Sequence, residues 1–232
     1  MTSMPRLSLA PTSDSRKVLV SDFDGTLWSH DYYLLFTDLY GGPETLQAWH
    51  DYRKGEITHF EAMRRIYAAA APGEKALRAL LHNHGLGPAV RNGAERLQAD
   101  GWSLVIVSAG SLWYIEQLLA EAGIVAEVHS NPGSIIDGRL CLRRPEGTPY
   151  PSHQNGIDKE AVVRHWQDRG CTVAFSGDGY PDLEPARLVP ADLRFARGYL
   201  AEELTKLHES FHPFQQWSEV CGHLTRPALL DS

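Results

Sequence analysis

The stretch Lys17-Val18-Leu19-Val20-Ser21-Asp22-Phe23-Asp24-Gly25-Thr26-Leu27 constrains this chain more than any other. A short apolar run, rich in β-branched residues, ends in two carboxylates one residue apart, and glycine and threonine follow at once. Such a run, bounded by turn residues, predicts a buried strand. Ligands of open α/β sheets bind just beyond the carboxyl ends of the strands, which sets Asp22 and Asp24 at the mouth of a site. In locally extended backbone, residues i and i+2 point the same way, so the two carboxylates can share one pocket.

The rest of the chain alternates strand and helix patterns. Strands are predicted over 17–22, 103–108, 125–130, 171–175 and 193–196, and helices over 87–100, 112–122 and 157–168, with two short helices closing the chain. Residues 133–143 alternate as a hairpin turning at Asp137-Gly138, and 144–156, with three prolines, predict an irregular loop. This pattern implies an α/β fold: a three-layer, Rossmann-like core around a parallel sheet. One stretch does not fit a simple crossover. The second strand begins about 75 residues beyond Leu27, although one helix and loops of about 2–6 residues would suffice. The surplus has helical periodicity: Tyr32, Leu35, Phe36 and Leu39 share one face, Phe60, Met63, Ile66 and Tyr67 another, and Leu77, Leu80 and Leu81 a third. Residues 28–86 are therefore expected to form a small helical cap inserted after the first strand, with 17–27 and 87–232 as the core and the Ser-, Pro- and Thr-rich residues 1–16 as a flexible tail.

Composition narrows the partners. Twenty-nine acids against 22 lysines and arginines give a net charge of −7, with no basic block, which argues against nucleic acid or an anionic membrane surface. No run approaches the roughly 20 apolar residues a membrane span needs. Cys141, Cys171 and Cys221 are odd in number and lack metal- or disulfide-type spacing, the pattern of reduced thiols in a cytoplasmic protein.

Three predicted strand ends carry chemistry: Asp22/Asp24, Ser108/Gly110 and Asp178/Asp182. On a parallel sheet these ends lie along one edge. Two unit charges about 4 Å apart repel by about 4 kcal/mol at an effective dielectric near 20, so such a cluster demands a counter-charge. Oxygen-only clusters suit Mg²⁺, which keeps positions open for water and substrate phosphate, and Lys159 adds a second positive charge. Ser108 and the backbone around Ala109-Gly110, at a helix start, can cradle phosphate oxygens. Taken singly, each piece has a plainer reading: a turn, a generic strand-to-helix junction, a surface lysine. Their order and shared placement favour a site.

Asp22-Phe23-Asp24-Gly25-Thr26, Ser108, Lys159 and Gly177-Asp178-Gly179-x-x-Asp182, in this order, resemble the four motifs of the haloacid dehalogenase-like superfamily, and specifically its phosphomonoesterases. The insertion after the first motif is similar to the cap of the phosphoserine phosphatase-like branch. The run from Phe195 to Leu200, with Phe211-His212-Pro213-Phe214, resembles the end of the 2-hydroxy-3-keto-5-methylthiopentenyl-1-phosphate phosphatases. The resemblance implies a Mg²⁺-dependent phosphatase acting through an aspartyl-phosphate. Asp22 would be the nucleophile and Asp24 the general acid and base. Asp22, the Asp24 carbonyl, Asp178 and Asp182 would serve the metal. Thr26, Ser108, Ala109, Gly110 and Lys159 would hold the phosphoryl group. Two departures bear on substrate. Ser108-Ala109-Gly110 stands where Ser-Gly-Gly is common in that branch. The residues nearest to those that read serine's charged groups are Asp31 and Arg64 or Arg65, which argues against phosphoserine.

Trp28, Asp31, Arg65 and Tyr180 are the candidates for contact with the leaving group. Packing in the cap for Trp28 and a helix N-terminal role for Asp31 are equally open, and Tyr32 and Tyr33 are read as packing the cap hinge. His82 and His84, two apart, do not share a helix face and are read as surface residues. The small-molecule phosphate ester would be the sole partner of a monomer or homodimer. A phosphotransferase or mutase, and a non-catalytic ligand-binding protein, remain the alternatives. An apolar cap lining would indicate an apolar leaving group, and a cluster of Arg and Asp an amino-acid-like one.

Overall fold

The computed structural model describes residues 6–225. In chain order the elements are β1 (Leu7–Ser8), β2 (Lys17–Ser21), α1 (Tyr32–Tyr40), α2 (Pro43–Arg53), α3 (His59–Ala69), α4 (Glu74–Asn83), α5 (Pro88–Ala99), β3 (Trp102–Ser111) and α6 (Leu112–Ala122). There follow β4 (Ile124–Val125), β5 (Glu127–Asn131), β6 (Gly133–Ile136), β7 (Arg139–Leu142), β8 (Pro151–Ser152), β9 (Gly156–Ile157) and α7 (Lys159–Asp168). The chain closes with β10 (Thr172–Gly177), α8 (Leu183–Arg187), β11 (Arg194–Ala196), α9 (Gly198–Lys206), β12 (His212–Pro213) and α10 (Trp217–Leu224).

Six strands form one parallel sheet in the order β12-β11-β10-β2-β3-β5. Alternate residues feed opposite faces. Leu19, Leu104, Ile106 and Ala174 enter one core with α5, α6 and α10, and Val18, Val20, Val105, Val107 and Phe175 enter a second core with residues of α7, α8 and α9. Burial on both faces explains why the strands are almost continuously apolar, and gives the three-layer α/β architecture expected from sequence. Strand β2 is central: the chain leaves it toward β3 on one side and returns as β10 on the other. Its carboxyl end is thus the topological switch point, where crevices open in such sheets.

Four helices, α1–α4, occupy the chain between β2 and α5. Phe60, Met63, Ile66, Tyr67, Leu77, Leu80 and Leu81 are buried as their spacing predicts, but Leu39 is 58% exposed. The hairpin β6–β7 turns at Asp137-Gly138, with φ 49° and 77°. It also ties α3 down: Arg139 Nη1 donates to Ala68 O at 2.6 Å, and the Gly73 N–H donates to Gly138 O at 3.0 Å.

Two expectations change. The flexible tail predicted over 1–16 is not found in its described part, residues 6–16: β1 pairs in parallel with β4, Leu7 and Leu9 are buried, and Leu9 O accepts the Leu104 N–H. Two leucines in i, i+2 register are enough to seat a Ser- and Pro-rich segment against an apolar groove; residues 1–5 lie outside the described residues. The strand predicted over 125–130 is split, since Ile124–Val125 pairs with β1 and Glu127–Asn131 with β3.

Candidate active site

The site grows from the end of β2. Asp22 follows the last residue of the strand, and its N–H still bonds to Ser176 O of β10 at 2.9 Å. Its Oδ1 accepts the Phe23 N–H at 2.7 Å and lies 2.9 Å from Lys159 Nζ. Oδ2 makes no hydrogen bond among the described residues. Lys159 is the first residue of α7, a helix capped by the Asp158 carboxylate, and is only 4% exposed. Its second partner is Asp182 Oδ1 at 2.6 Å. Burial alone would push the ammonium's pKa down, but the Asp182 and Asp22 carboxylates outweigh burial and hold it above the usual lysine range.

Asp182 is fully buried, and its second oxygen accepts the N–H groups of Asp178 and Gly179 at 3.1 and 2.9 Å. This folds the loop after β10 so that Asp178 faces Asp22. Carboxylate oxygens of Asp22, Asp178 and Asp182 all lie within 4.8 Å of one another. The charge is in excess: burial, with Asp182 beside it, raises the Asp22 carboxyl well above its ordinary range, and burial followed by Asp182 raises Asp178 to about 7. Asp182 is saturated by Lys159 and two amides, whereas Asp22 and Asp178 keep oxygens free. A hard divalent cation taking a few carboxylate oxygens fits that donor set.

Asp24 is held differently. Its Oδ1 accepts the Tyr32 N–H at 3.0 Å, and its Oδ2 accepts the Tyr114 hydroxyl at 2.6 Å and, more weakly, the Ser108 hydroxyl at 3.4 Å. Burial, with Asp31 nearby, raises the Asp24 carboxyl to about 7, poised to give and take a proton near neutrality. Two glycines make this packing possible. Gly25 has φ +67°, and a Cβ there would meet Asp178 Oδ2 at 2.2 Å. A Cβ on Gly110 would meet the Tyr114 hydroxyl oxygen at 1.8 Å and Asp24 Oδ2 at 2.9 Å.

Ser108, Ala109 and Gly110 lie where the β3–β5 register shifts, between Val107 and Ser111, an irregularity that re-aims side chains toward a site. The Gly110 N–H donates to Ser108 Oγ at 3.0 Å. Carbonyls of Ala109 and Gly110 are anchored by Asn131 Nδ2 at 2.9 Å and Ser130 Oγ at 3.1 Å. Ser111 caps α6, whose N-terminus opens beside this segment.

A cavity of about 200 Å³ lies over these groups, and Asp22, Asp24, Ser108, Ala109, Gly110, Lys159 and Asp178 form its floor. Among the predicted leaving-group residues, Asp31 and Tyr180 reach its wall. Asp31 also caps α1, accepting the Tyr33 and Leu34 N–H groups, and Tyr180 is 65% exposed at the rim. Trp28 and Arg65 are corrected. Trp28 is 1% exposed, its indole N–H donating to His84 O, and its ring packs on Phe23 and Tyr114. Arg65 is turned outward onto Glu61 and Asp51. Thr26 is also buried, and its hydroxyl donates to Asp178 Oδ1 at 3.0 Å, so it positions a carboxylate and does not line the cavity. His82 is exposed, as read from sequence, whereas His84 packs edge-on against His30.

Sequence reasoning missed the residues facing the floor: Tyr33, Trp49, Tyr52, His59, Met63, Tyr67 and Tyr114. Tyr114 stacks on Tyr32 at 4.3 Å and sits in a helix face with Ile115 and Leu118 that spacing alone assigns to core. His59 is the first residue of α3, and its Nδ1 is buried with no hydrogen-bond partner among the described residues. Burial, with Lys159 nearby, depresses its pKa to about 4, so the ring is neutral at pH 7.

Known proteins show the same frame. The chain is 22% identical over 208 residues to a Bacillus thuringiensis protein named 2-hydroxy-3-keto-5-methylthiopentenyl-1-phosphate phosphatase, covering 86% of this chain and 91% of that one. A Bacillus cereus protein of the same name is 19% identical, covering 88% and 93%. The structure of phosphoserine phosphatase from T. onnurineus shares the fold, with TM-score 0.65 at 16% identity and coverage of 93% and 98%. So does a hydrolase from Salmonella enterica serovar Typhi, with TM-score 0.68 at 16% identity and coverage of 97% and 73%. The family model of the haloacid dehalogenase-like hydrolases matches residues 19–187, well over half of the chain. That match runs from the strand that leads into Asp22 and Asp24 through Lys159 and Asp182, and by it the chain belongs to the haloacid dehalogenase-like hydrolases.

Proposed function

We propose that this protein is a Mg²⁺-dependent phosphomonoesterase that cleaves a small-molecule phosphate ester through an aspartyl-phosphate on Asp22. The observation that carries the reading is the asymmetry of Asp22: Oδ1 is fixed by Phe23 and Lys159, while Oδ2 makes no hydrogen bond among the described residues. An anchored carboxylate with one unengaged oxygen is a positioned nucleophile. Asp22 attacks phosphorus and the bond from phosphorus to the leaving oxygen breaks. Asp24, held by Tyr32 and Tyr114, gives that oxygen a proton. Asp24 then takes a proton from water, whose oxygen attacks the same phosphorus; the bond to Asp22 breaks and inorganic phosphate leaves. Lys159, Ser108 and the backbone at Ala109 and Gly110 oppose the charge on the transferring group.

Asp22, the Asp24 carbonyl and Asp178 would hold Mg²⁺, with Asp182 orienting that set. When bound, the cation neutralises the carboxylates and polarises the phosphoryl oxygens. Residues 28–86 act as a cap over a core made of 17–27 and 87–232, closing water out of the cavity. The names of the Bacillus relatives and of the phosphoserine phosphatase structures support phosphate-ester chemistry. Arg65, turned away from the cavity, speaks against phosphoserine itself. The reading includes a cytoplasmic location, supported by three unpaired cysteines, and a monomer or homodimer. Among the described residues no helix is long and apolar enough to cross a membrane.

Phosphate release from a panel of small monoesters, with Mg²⁺ and with EDTA, tests the reading. Unchanged release by Asp22→Asn would refute the nucleophile assignment. Accumulation of a bisphosphorylated product in place of free phosphate would move the protein to the phosphotransferases.

A further inference from the structure

One atom in the roof departs from the rule that buried polar groups find partners. Of the buried side-chain atoms left without a hydrogen bond among the described residues, His59 Nδ1 alone belongs to a residue that lines the cavity. The ring is firmly placed. Tyr52 meets it edge-on at 5.3 Å. The neighbouring Phe60 N–H donates to Gln154 O at 2.9 Å, and the Arg144 guanidinium lies 4.2 Å from the centre of the Phe60 ring, which together seat the first turn of α3 on the β8–β9 turn. A phenylalanine at position 59 would keep the contact with Tyr52 without the buried nitrogen, whose missing partner costs stability. An imidazole held there against that cost points to a use inside the cavity.

The hydrogen of that imidazole can be assigned. His59 is neutral at pH 7, so one ring nitrogen donates and the other accepts. A buried N–H without a partner is rarer than a buried acceptor without one. His59 is also the first residue of α3, where the positive end of the helix dipole favours a lone pair over an N–H. Nδ1 therefore carries the lone pair and Nε2 the hydrogen. Nε2 makes no hydrogen bond among the described residues and, unlike Nδ1, is not closed off, so the roof presents a neutral N–H donor to the cavity. That donor ranks possible leaving groups. A carboxylate would enter a lining with four acids, Asp22, Asp24, Asp31 and Asp178, whose sole Lys or Arg is Lys159, already paired with Asp22 and Asp182; its burial there is costly. A hydrocarbon alcohol would cover the Nε2–H and leave both ring nitrogens unpaired. An alcohol with one uncharged acceptor oxygen satisfies the donor and offers its carbon atoms to the Trp49 and Tyr52 rings of the same lining. The volume of about 200 Å³ limits the whole substrate to a phosphoryl group and a few further heavy atoms.

We propose that His59 is a specificity-determining residue whose Nε2–H binds an uncharged acceptor oxygen, a carbonyl or hydroxyl, on the alcohol that leaves. This deepens the phosphatase reading and rests on it. Binding and turnover separate the two. Calorimetry on the Mg²⁺-loaded protein compares 3-oxobutylphosphonate with 3-methylbutylphosphonate, which have the same shape, differ in the acceptor oxygen and are not hydrolysed. The ketone is expected to bind about tenfold tighter. His59→Phe, which keeps the ring against Tyr52, is expected to abolish that preference without lowering the midpoint of denaturant unfolding. His59→Gln, whose amide nitrogen reaches about as far as Nε2, should restore the preference to within about threefold, whereas His59→Asn, whose amide reaches only as far as Nδ1, should not. If His59→Phe fails to fold, the Gln and Asn variants decide the matter. Equal binding of the two phosphonates by the wild type overturns the proposal. So does a preference that survives His59→Phe or is the same in the Gln and Asn variants, or tighter binding of 3-phosphonopropionate, which puts a carboxylate in place of the ketone. Phosphate release from hydroxyacetone phosphate and isobutyl phosphate is read in parallel. No release from either, with the binding preference intact, refutes the phosphatase reading and leaves the role of His59 standing. Release from both with equal kcat/KM, and equal binding of the two phosphonates, does the reverse.

Discussion

The floor and the roof of the cavity are built on opposite principles. On the floor directional bonds fix the polar groups and leave free only oxygens of Asp22 and Asp178: Lys159 is held by two carboxylates, Asp182 by an ammonium and two amides, Asp24 by a phenol and an amide. In the roof the contacts are ring on ring, and one buried nitrogen, His59 Nδ1, has no hydrogen-bond partner among the described residues. The difference teaches where the chemistry is fixed and where it is adjustable. A floor tied by short directional bonds tolerates little change. A roof held by non-directional packing can be re-cut for another leaving group without disturbing phosphoryl transfer.

The largest effect belongs to the floor. Asp22→Asn replaces the carboxylate proposed to attack phosphorus, and phosphate release is expected to fall by at least about ten-thousandfold. The fold should survive, because Lys159 keeps Asp182. Residual activity within about tenfold of wild type would break the contrast by moving catalysis off the floor. Lys159→Met is next and acts on stability as well. It strands the fully buried Asp182 and raises the local negative charge, a loss of about 3–5 kcal/mol for one partner of a buried pair, to be read from denaturant unfolding.

Tyr114 is where floor and helix α6 meet, so it measures how far the floor extends. Tyr114→Phe removes one of the donors to Asp24 Oδ2 and is expected to lower kcat by about tenfold, the order of a hydrogen bond to a charged group. The loss should be larger for alkyl phosphates, whose leaving group needs a proton, than for p-nitrophenyl phosphate; equal losses would mean that Tyr114 only packs. Gly110→Ala drives a methyl into the same hydroxyl, so it should cost more in the wild-type background than in Tyr114→Phe, a coupling of about 0.5–3 kcal/mol for residues in contact.

A smaller effect comes from pH. Folded Asp24 and Asp178 hold protons up to about 7, while the same carboxyls in the unfolded chain lose them near 3.8. Between those values the folded, metal-free protein binds more protons, so its stability falls as pH rises from 4 to 7. His59 works the other way: its folded pKa of about 4 lies below the ordinary 6.5, adding stability as pH rises through that interval. Burial raises the Asp22 carboxyl as well, so the carboxyls together outweigh the one imidazole and the net stability falls as pH rises through this interval. Unfolding in EDTA at pH 5, 6 and 7 measures it. Mg²⁺ should stabilise more at pH 7 than at pH 5, since it competes with protons for the same oxygens. A metal-free stability that rises over this range would contradict the excess of negative charge on the floor.

The contrast also explains what the sequence discloses. Asp22 and Asp24 were legible because a strand end fixes both at once, and Asp178, Asp182 and Lys159 because parallel strands and a helix start bring them to the same edge. The roof was not, because its residues are aimed by helix packing. In α2, Leu46 is 73% exposed while Thr45 and Ala48 are buried, so hydropathy mispredicts the face that carries Trp49 and Tyr52 past the cavity. Of the two readings open for Trp28, its burial and its bond to His84 select packing: next to the motif in sequence, it is turned into the core. Leu7 and Leu9 lie in a segment whose composition masks them.

Arg65 sets the lower limit. If the roof meets substrate with aromatic rings, an arginine on the outer face of α3 should not matter. Its pairs with Glu61 and Asp51 are close to half exposed on the arginine side, and exposed pairs contribute about 0–1 kcal/mol. Arg65→Ala is therefore expected to change stability by less than about 0.5 kcal/mol and kcat/KM by less than about twofold for neutral, cationic and carboxylate-bearing esters alike. The informative failure is selective. A loss confined to phosphoserine would show Arg65 swinging inward to meet a carboxylate, and the roof would then select by charge pairing of the kind seen on the floor. A uniform, negligible change leaves the division intact, with directional bonds below and aromatic surface above.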